Sequence, residues 1–332
     1  MPTRVIQSKA VVNRSVFDIH GVRFEISSNR EKYIKWTRDY IYFAEKKNKD
    51  PQWHVHINEI KGSFPLFPPE TSKKVRSKSI PIVYENGNLL WFDFFYAVAR
   101  INLTSKSIAV WIKEFEGLTE FYFTNIILFN ILNLILSYNG MIFIHSASLC
   151  YGGKGIILAG EAGAGKSTLS VGLIERGCKF LSDDKSIIHL NNNKAEILSF
   201  PEAVSLQEDA CSFFTTTRPF AKQKNKLDKY KKIFRINSLY CDSAISRCEP
   251  SLIIFLHKAC GKETFAKKIT KKESLDCLIG SISTSFITES AVVFKILAEL
   301  ADSVRSYRLA LGENIDKSIE AILGLIRSEK PL

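Results

Sequence analysis

The sequence predicts an α/β domain over residues 118–332 behind a β-rich N-terminal domain over residues 1–117. Three observations carry that prediction. The first third of the chain is rich in β-branched and aromatic residues in partial period-two alternation. A strand, a glycine-rich loop and a helix follow one another in "GIILAGEAGAGKSTLSVGLIERG" at 155–177. A further apolar run, "KFLS" at 179–182, ends in the adjacent aspartates Asp183 and Asp184, which completes a strand–helix–strand pattern.

A chain of 332 residues can bury a large core, and 45% hydrophobic with 24% charged residues describes an ordinary soluble globular protein. The start, "MPTRVIQSKAVVNRSVFDIH", lacks the apolar centre of a secretory signal. The most apolar run, 122–137, is interrupted by Asn125, Asn130 and Asn133, so it reads as a buried helix and no membrane contact is expected. Seven scattered cysteines without a C-x-x-C pair argue against a disulfide framework or a zinc site and fit a reducing cytoplasm. The formal charge of +12 comes largely from lysine. It can attract acidic partners, but no recognition motif accompanies it, so nucleic acid is not the expected partner. The composition leaves a homo-oligomer open.

In the first domain, "SVFDIHGVRFEI", "QWHVHINEI", "IPIVYENGNLLWFDFFYAV" and "SIAVWIKEF" read as strands, with a tight hairpin turn at the Asn-Gly of "ENGN". The segment 64–79, with its three prolines and four basic residues, reads as a mobile loop. A helix is expected over 119–138, stopped by the Asn-Gly at 139–140. Two strands, "MIFIHSASLCY" and "GIILAG", follow around a "GGKG" turn that brings them side by side. A helix over 167–176 ends at Gly177, a hairpin with an Asn-rich turn spans 186–200, and 250–259 is a buried strand. Residues 273–326 read as two or three amphipathic helices.

Gly160, Gly165, Lys166 and Ser167 match G-x-x-x-x-G-K-[ST], between the strand and the helix that this motif requires. In such a loop, backbone N–H groups of residues 160–168 (Gly160, Glu161, Ala162, Gly163, Ala164, Gly165, Lys166, Ser167 and Thr168) cradle phosphate oxygens. Lys166 supplies positive charge to the phosphates and Ser167 a hydroxyl to magnesium. Strand–helix–strand order is expected to put the ends of the loop strand and the aspartate strand side by side. Successive strand residues face opposite ways, so Asp183 and Asp184 should differ in role: one a proton acceptor, the other at the metal. His145 ends another apolar run, and a histidine there is structural or catalytic on the residues alone.

Together these residues resemble the kinase domain of HPr kinase/phosphorylase and its relatives, the HPr-kinase-like enzymes related to phosphoenolpyruvate carboxykinase. Members carry a histidine on a strand, a hairpin, G-x-x-G-x-G-K-S, a helix ending in "R-G" and a strand ending in "DD". Here those elements are His145, "GEAGAGKS" at 160–167, "ERG" at 175–177 and "LSDD" at 181–184. "FPEAVSL" (200–206), "KYKKIFRINSL" (229–239) and "PSLIIFL" (250–256) are similar to later segments of the group. The resemblance implies ATP and magnesium, a serine hydroxyl on a peptide or small protein as acceptor, and Asp183 as general base with His145 nearby. Asp184, with Ser167, is then the metal contact. It also implies the fold: a P-loop kinase domain of the HPr kinase type. The glycine-rich "LGIRGLGI" signature of the bifunctional enzyme is not found, so neither phosphorylase activity nor HPr as target is expected. Shorter relatives act in lasso-peptide clusters, which makes a ribosomal precursor peptide one expected acceptor. A small-molecule or sugar kinase, and a nucleotide-dependent regulatory module with slow ATPase activity, are the alternatives.

The segment 218–235 holds Arg218, Lys222, Lys224, Lys226, Lys229, Lys231, Lys232 and Arg235 against the single acid Asp228. It reads as a lid, a dock for an acidic acceptor, or a solvated surface. Arg218 and Arg235 are candidates to stabilise charge on a transferring phosphoryl group, and Glu202 is a further candidate contact for metal or acceptor.

Overall fold

The computed structural model describes residues 13–46, 49–65, 67–76, 80–200, 202–221, 231–258, 263–282 and 290–328. The chain is a mixed α/β protein of two compact units, Met1–Ile135 and Leu136–Leu332. The division falls later than the expected 117–118 because the helix Glu120–Tyr138 begins in the first unit. Thr119 caps its start by accepting a hydrogen bond from the Tyr122 N–H. Phe123 then packs 4.9 Å from the Tyr33 ring and 5.8 Å from Trp36. Among the described residues this helix is long and apolar enough to cross a membrane, and 72% of its apolar window is buried within the protein.

The sheet of the first unit runs, edge to edge, Glu45–Lys46, Asn13–Ile19, Val22–Ser28, Trp53–Ile60, Ser107–Lys113, Ala97–Asn102, Leu89–Asp93, Ile82–Asn86 and Lys73–Arg76. Asn86 pairs with Leu89, leaving a two-residue turn of Gly87 and Asn88 in which Gly87 takes φ +59°. That is the hairpin expected from "ENGN". The segment 64–79 differs from expectation, because Lys73–Arg76 is the edge strand of this sheet. Its prolines all precede Lys73, so the basic half keeps the N–H groups a ladder needs. Residues 66 and 77–79 of that segment lie outside the described residues.

In the second unit the strand Lys154–Gly160 is central. On one side it pairs antiparallel with Ser146–Tyr151 through the Gly152–Gly153 turn, as "GGKG" predicts. On the other it pairs parallel with Arg247–Lys258. Alternation along it sorts the core. Ile156 and Leu158 face the helices Lys166–Glu175 and Ile315–Arg327, whereas Ile157 and Ala159 face Lys271–Gly280 and Ser290–Ser303. The sheet is therefore covered on both faces. The hairpin Ser186–Asn191/Lys194–Leu198 turns at Asn192 and Asn193, with φ +50° and +61°.

Two expectations fail here. The run 141–151 is not one strand: Met141–Ile144 pairs with Ser186–Asn191, while Ser146–Tyr151 pairs with Lys154–Gly160. The break is His145, whose N–H donates to the Ser281 carbonyl at 2.6 Å instead of to a neighbouring strand. Within 273–326, Arg305–Leu311 is a strand parallel to Arg247–Lys258. A helical period had absorbed its seven residues.

Candidate active site

Three chain segments converge at one edge of the second sheet. Ser146–Tyr151 is antiparallel both to Lys154–Gly160 and to Lys179–Ser182. The latter two thus point the same way, and the beginning of Ser146–Tyr151 lies between their carboxyl ends. The expected direct neighbourhood of the loop strand and the aspartate strand is corrected accordingly: one antiparallel strand separates them. Its consequence is chemical, because the inserted strand starts at His145 and delivers that side chain between the glycine loop and the aspartates.

The glycine loop joins Gly160 to the helix Lys166–Glu175. A Cβ on Gly160 would sit 2.9 Å from the Leu256 carbonyl, and Gly163 and Gly165 take φ +77° and +95°, torsions that disfavour any other residue. Glu161, Ala162 and Gly163 form the exposed tip, Ala164 is buried, and Ser167 and Thr168 lie partly exposed in the first helical turn. Lys166 is 6% exposed. Its ammonium donates to the Gly160 and Glu161 carbonyls at 2.8 and 3.2 Å and lies 3.0 Å from His145 Nε2. Burial lowers its pKa, with Asp184 and Asp183 opposing.

A lysine ammonium can only donate, so His145 Nε2 accepts and the ring's proton is on Nδ1, 3.2 Å from Asp184 Oδ1. Burial, helped by the Lys166 charge and opposed by Asp184, holds His145 below the ordinary imidazole range. The ring is a neutral bridge between Lys166 and Asp184.

The two aspartates differ sharply. Asp183 is 3% exposed, while half of the Asp184 side chain is open to solvent. Ser167 Oγ donates to Asp183 Oδ2 at 2.8 Å, and Asp183 Oδ1 is buried without a hydrogen-bond partner. Burial pushes the Asp183 carboxyl up to about 7; the Ser167 hydroxyl pulls it down, and Asp184 and Glu202 push it further up. The structure therefore joins Ser167 to Asp183, whereas the metal pair expected from the sequence was Ser167 with Asp184. Asp184 is instead held by His145 and by Lys185, at 3.7 Å.

Lys185 went unnoticed in the sequence. It links Asp184 to Glu202, whose Oε2 is 2.8 Å away and whose Oε1 is buried without a partner. Burial raises the Glu202 pKa and Lys185 opposes it. Behind the site lies a second unnoticed set. Ser146, Ser148, Ser182 and Ser186 are fully buried. Their hydroxyls connect at 2.8 Å (Ser146 to Ser186), 2.6 Å (Ser148 with Ser182) and 2.9 Å (Ser182 with Ser186). The signal was present: serines at alternate positions of apolar strands point into the core and must bond one another.

Among the described residues no group of three or more His, Cys, Asp or Glu side chains is arranged to hold a metal ion. A nucleotide-bound magnesium does not need one, because phosphates and waters fill most of its shell beside one or two carboxylates. The Ser167 hydroxyl and the Asp183 Oδ2 beside it fit that donor set, and the orphaned Oδ1 stays available to a proton. Of the basic segment, Lys222, Lys224, Lys226 and Lys229 lie outside the described residues, as does the Lys231 side chain. Lys232 is buried against Glu208 at 3.7 Å, and the Arg218 Nε donates to the Ser212 carbonyl at 3.3 Å.

No family model and no curated protein matches the chain. Among solved structures it is similar to the HPr(Ser) kinase/phosphatase from Coxiella burnetii, with 18% identity, a TM-score of 0.33, and 56% of this chain and 90% of that chain covered. A likeness at that level assigns no function.

Proposed function

We propose that the protein is an ATP-dependent phosphotransferase that moves the γ-phosphoryl group of ATP to a serine hydroxyl of a peptide or small protein. The observation that carries this reading is Asp183: a buried carboxylate with one oxygen unpartnered, bonded to the first-turn serine of the helix after the glycine loop. The motif match of Gly160–Ser167 and the torsions of Gly163 and Gly165 support phosphate binding by that loop.

Lys166 donates to the phosphate oxygens once nucleotide replaces its bonds to the Gly160 and Glu161 carbonyls. Asp183 Oδ1 accepts the proton of the acceptor hydroxyl as that oxygen bonds to the γ-phosphorus and ADP departs. Ser167 and Asp183 Oδ2 would hold magnesium, whose charge offsets that of the phosphates. Asp184 fixes the His145 ring, and His145 positions the Lys166 ammonium.

The test is a comparison of phosphoserine in the native host carrying either the wild-type gene or Asp183→Asn. At least one phosphoserine peptide should disappear in the variant. If instead a phosphorylated sugar or metabolite disappears, the acceptor is a small molecule. If nothing changes, the phosphotransferase reading fails.

A further inference from the structure

Cys150 and Cys248 are 98 positions apart in sequence, yet their sulfurs lie 2.7 Å apart. A disulfide bond is only about 0.7 Å shorter. Both thiols are free. They approach each other over the strand Lys154–Gly160, which separates their own strands: Cys150 pairs with Gly155, and Gly155 with Pro250. Gly155 has no side chain, and a Cβ there would lie 2.7 Å from both the Glu249 carbonyl and Ile197 Cδ1, so the strands pack closely at this point. The register also shifts between Gly155 and Ile156, which bends the ladder at this point. Cys150 and Cys248 share one face of the sheet, in the cluster that includes Ile157, Ile197 and Ile253.

The pair is not deep. It sits at the turn end of the sheet, where Gly152 and Gly153 are exposed and the Gly153 carbonyl is 3.3 Å from Cys248 Sγ. The cysteines are 5% and 7% exposed and lie beside that exposed turn. The hydrogen bond from the Cys248 thiol lowers the Cys150 pKa, while the same contact raises that of Cys248. Cys150 is thus the nucleophile of the pair.

We propose that Cys150 and Cys248 are a thiol-oxidation site that closes to a reversible disulfide, stapling the strand Ser146–Tyr151 to Arg247–Lys258 across Gly155. A low-molecular-weight disulfide such as oxidised glutathione is the oxidant. The Cys150 thiolate attacks one of its sulfurs and releases the first glutathione thiolate. The Cys248 thiolate then attacks Cys150 Sγ and releases the second. Two protein thiols are oxidised, one small disulfide is reduced, and the two thiol protons pass to the two released thiolates. The strand so fixed begins beside His145, but the oxidation does not depend on the phosphotransferase reading.

The experiment uses the full chain, reduced, desalted and exposed to oxidised glutathione. Remaining thiols are alkylated, and peptides are mapped by mass spectrometry without reductant. The expected product is one crosslinked peptide pair joining Cys150 to Cys248, about 2 Da lighter than the two thiol peptides and reversed by dithiothreitol. Cys150→Ser and Cys248→Ser should each abolish it, and Cys241→Ser should leave it. Should a serine variant fail to fold, the wild-type map decides alone. Recovery of both cysteines alkylated, arrest at glutathione adducts, or a crosslink through exposed Cys241 instead would overturn the proposal.

Discussion

Ser167 Oγ donates to Asp183 Oδ2 at 2.8 Å, tying the first turn of the helix after the glycine loop to the end of the buried strand Lys179–Ser182. One bond thus connects the helix after the glycine loop to the carboxylate. The other oxygen of Asp183 is left buried and unpartnered, at a cost of about 1–3 kcal/mol.

Lys166 bridges two loop carbonyls and His145. In the proposed reaction no other side chain brings that charge to the phosphates. Lys166→Ala should weaken binding of ATP with magnesium at least tenfold by calorimetry. Equal affinity in wild type and variant would remove Lys166 from the nucleotide site.

Asp183 gives stability a pH dependence in protein free of nucleotide and magnesium. Its carboxyl is raised from 3.8 to about 7 on folding. Between about pH 4 and 7 the folded state therefore keeps a proton that the unfolded chain has already lost, so stability falls as pH rises across that window and levels off above it. Ionisation above that point costs about 4 kcal/mol as an order of magnitude. Asp183→Asn removes this penalty, so its Tm should exceed wild type by several degrees at about pH 8, with the gain shrinking towards about pH 4. A gain of the same size at both ends contradicts the shift.

Ser182 bonds both Ser148 and Ser186 in a fully buried network. Ser182→Ala leaves two hydroxyls short of a partner and should destabilise by roughly 1–3 kcal/mol. Chemical denaturation measures this directly. A change of under about 0.5 kcal/mol would place the serines outside the structural core of the site.

Local signals were legible, and non-local ones were not. The turns at Gly87–Asn88 and Asn192–Asn193, the glycine loop, and the stop at Gly177 all follow from the chemistry of a few consecutive residues. The insertion of Ser146–Tyr151 between the loop strand and the aspartate strand is a property of strand order, which no local pattern encodes. His145 looked like part of one long apolar run; its role as a break depends on Ser281, far along the chain. The adjacent aspartates announced themselves as a pair of unlike members, but which one meets Ser167 was decided by the bend after Ser182.

Lys185 lies between Asp184 and the buried Glu202. Lys185→Ala leaves the Glu202 charge uncompensated and should destabilise by roughly 3–5 kcal/mol. Glu202→Gln in the same chain should recover much of the loss, giving a coupling energy above about 1 kcal/mol in a double-mutant cycle. Additive effects would mean that the pair is not a unit.

The most direct test of the central claim separates binding from transfer in Asp183→Asn. Calorimetry gives the affinity for ATP with magnesium, and acceptor-dependent ATP consumption is followed with the small-peptide fraction of the native host. Affinity within about threefold of wild type, with turnover lower by roughly two to four orders of magnitude, is the predicted result for loss of a general base. Wild-type turnover in Asp183→Asn would contradict it.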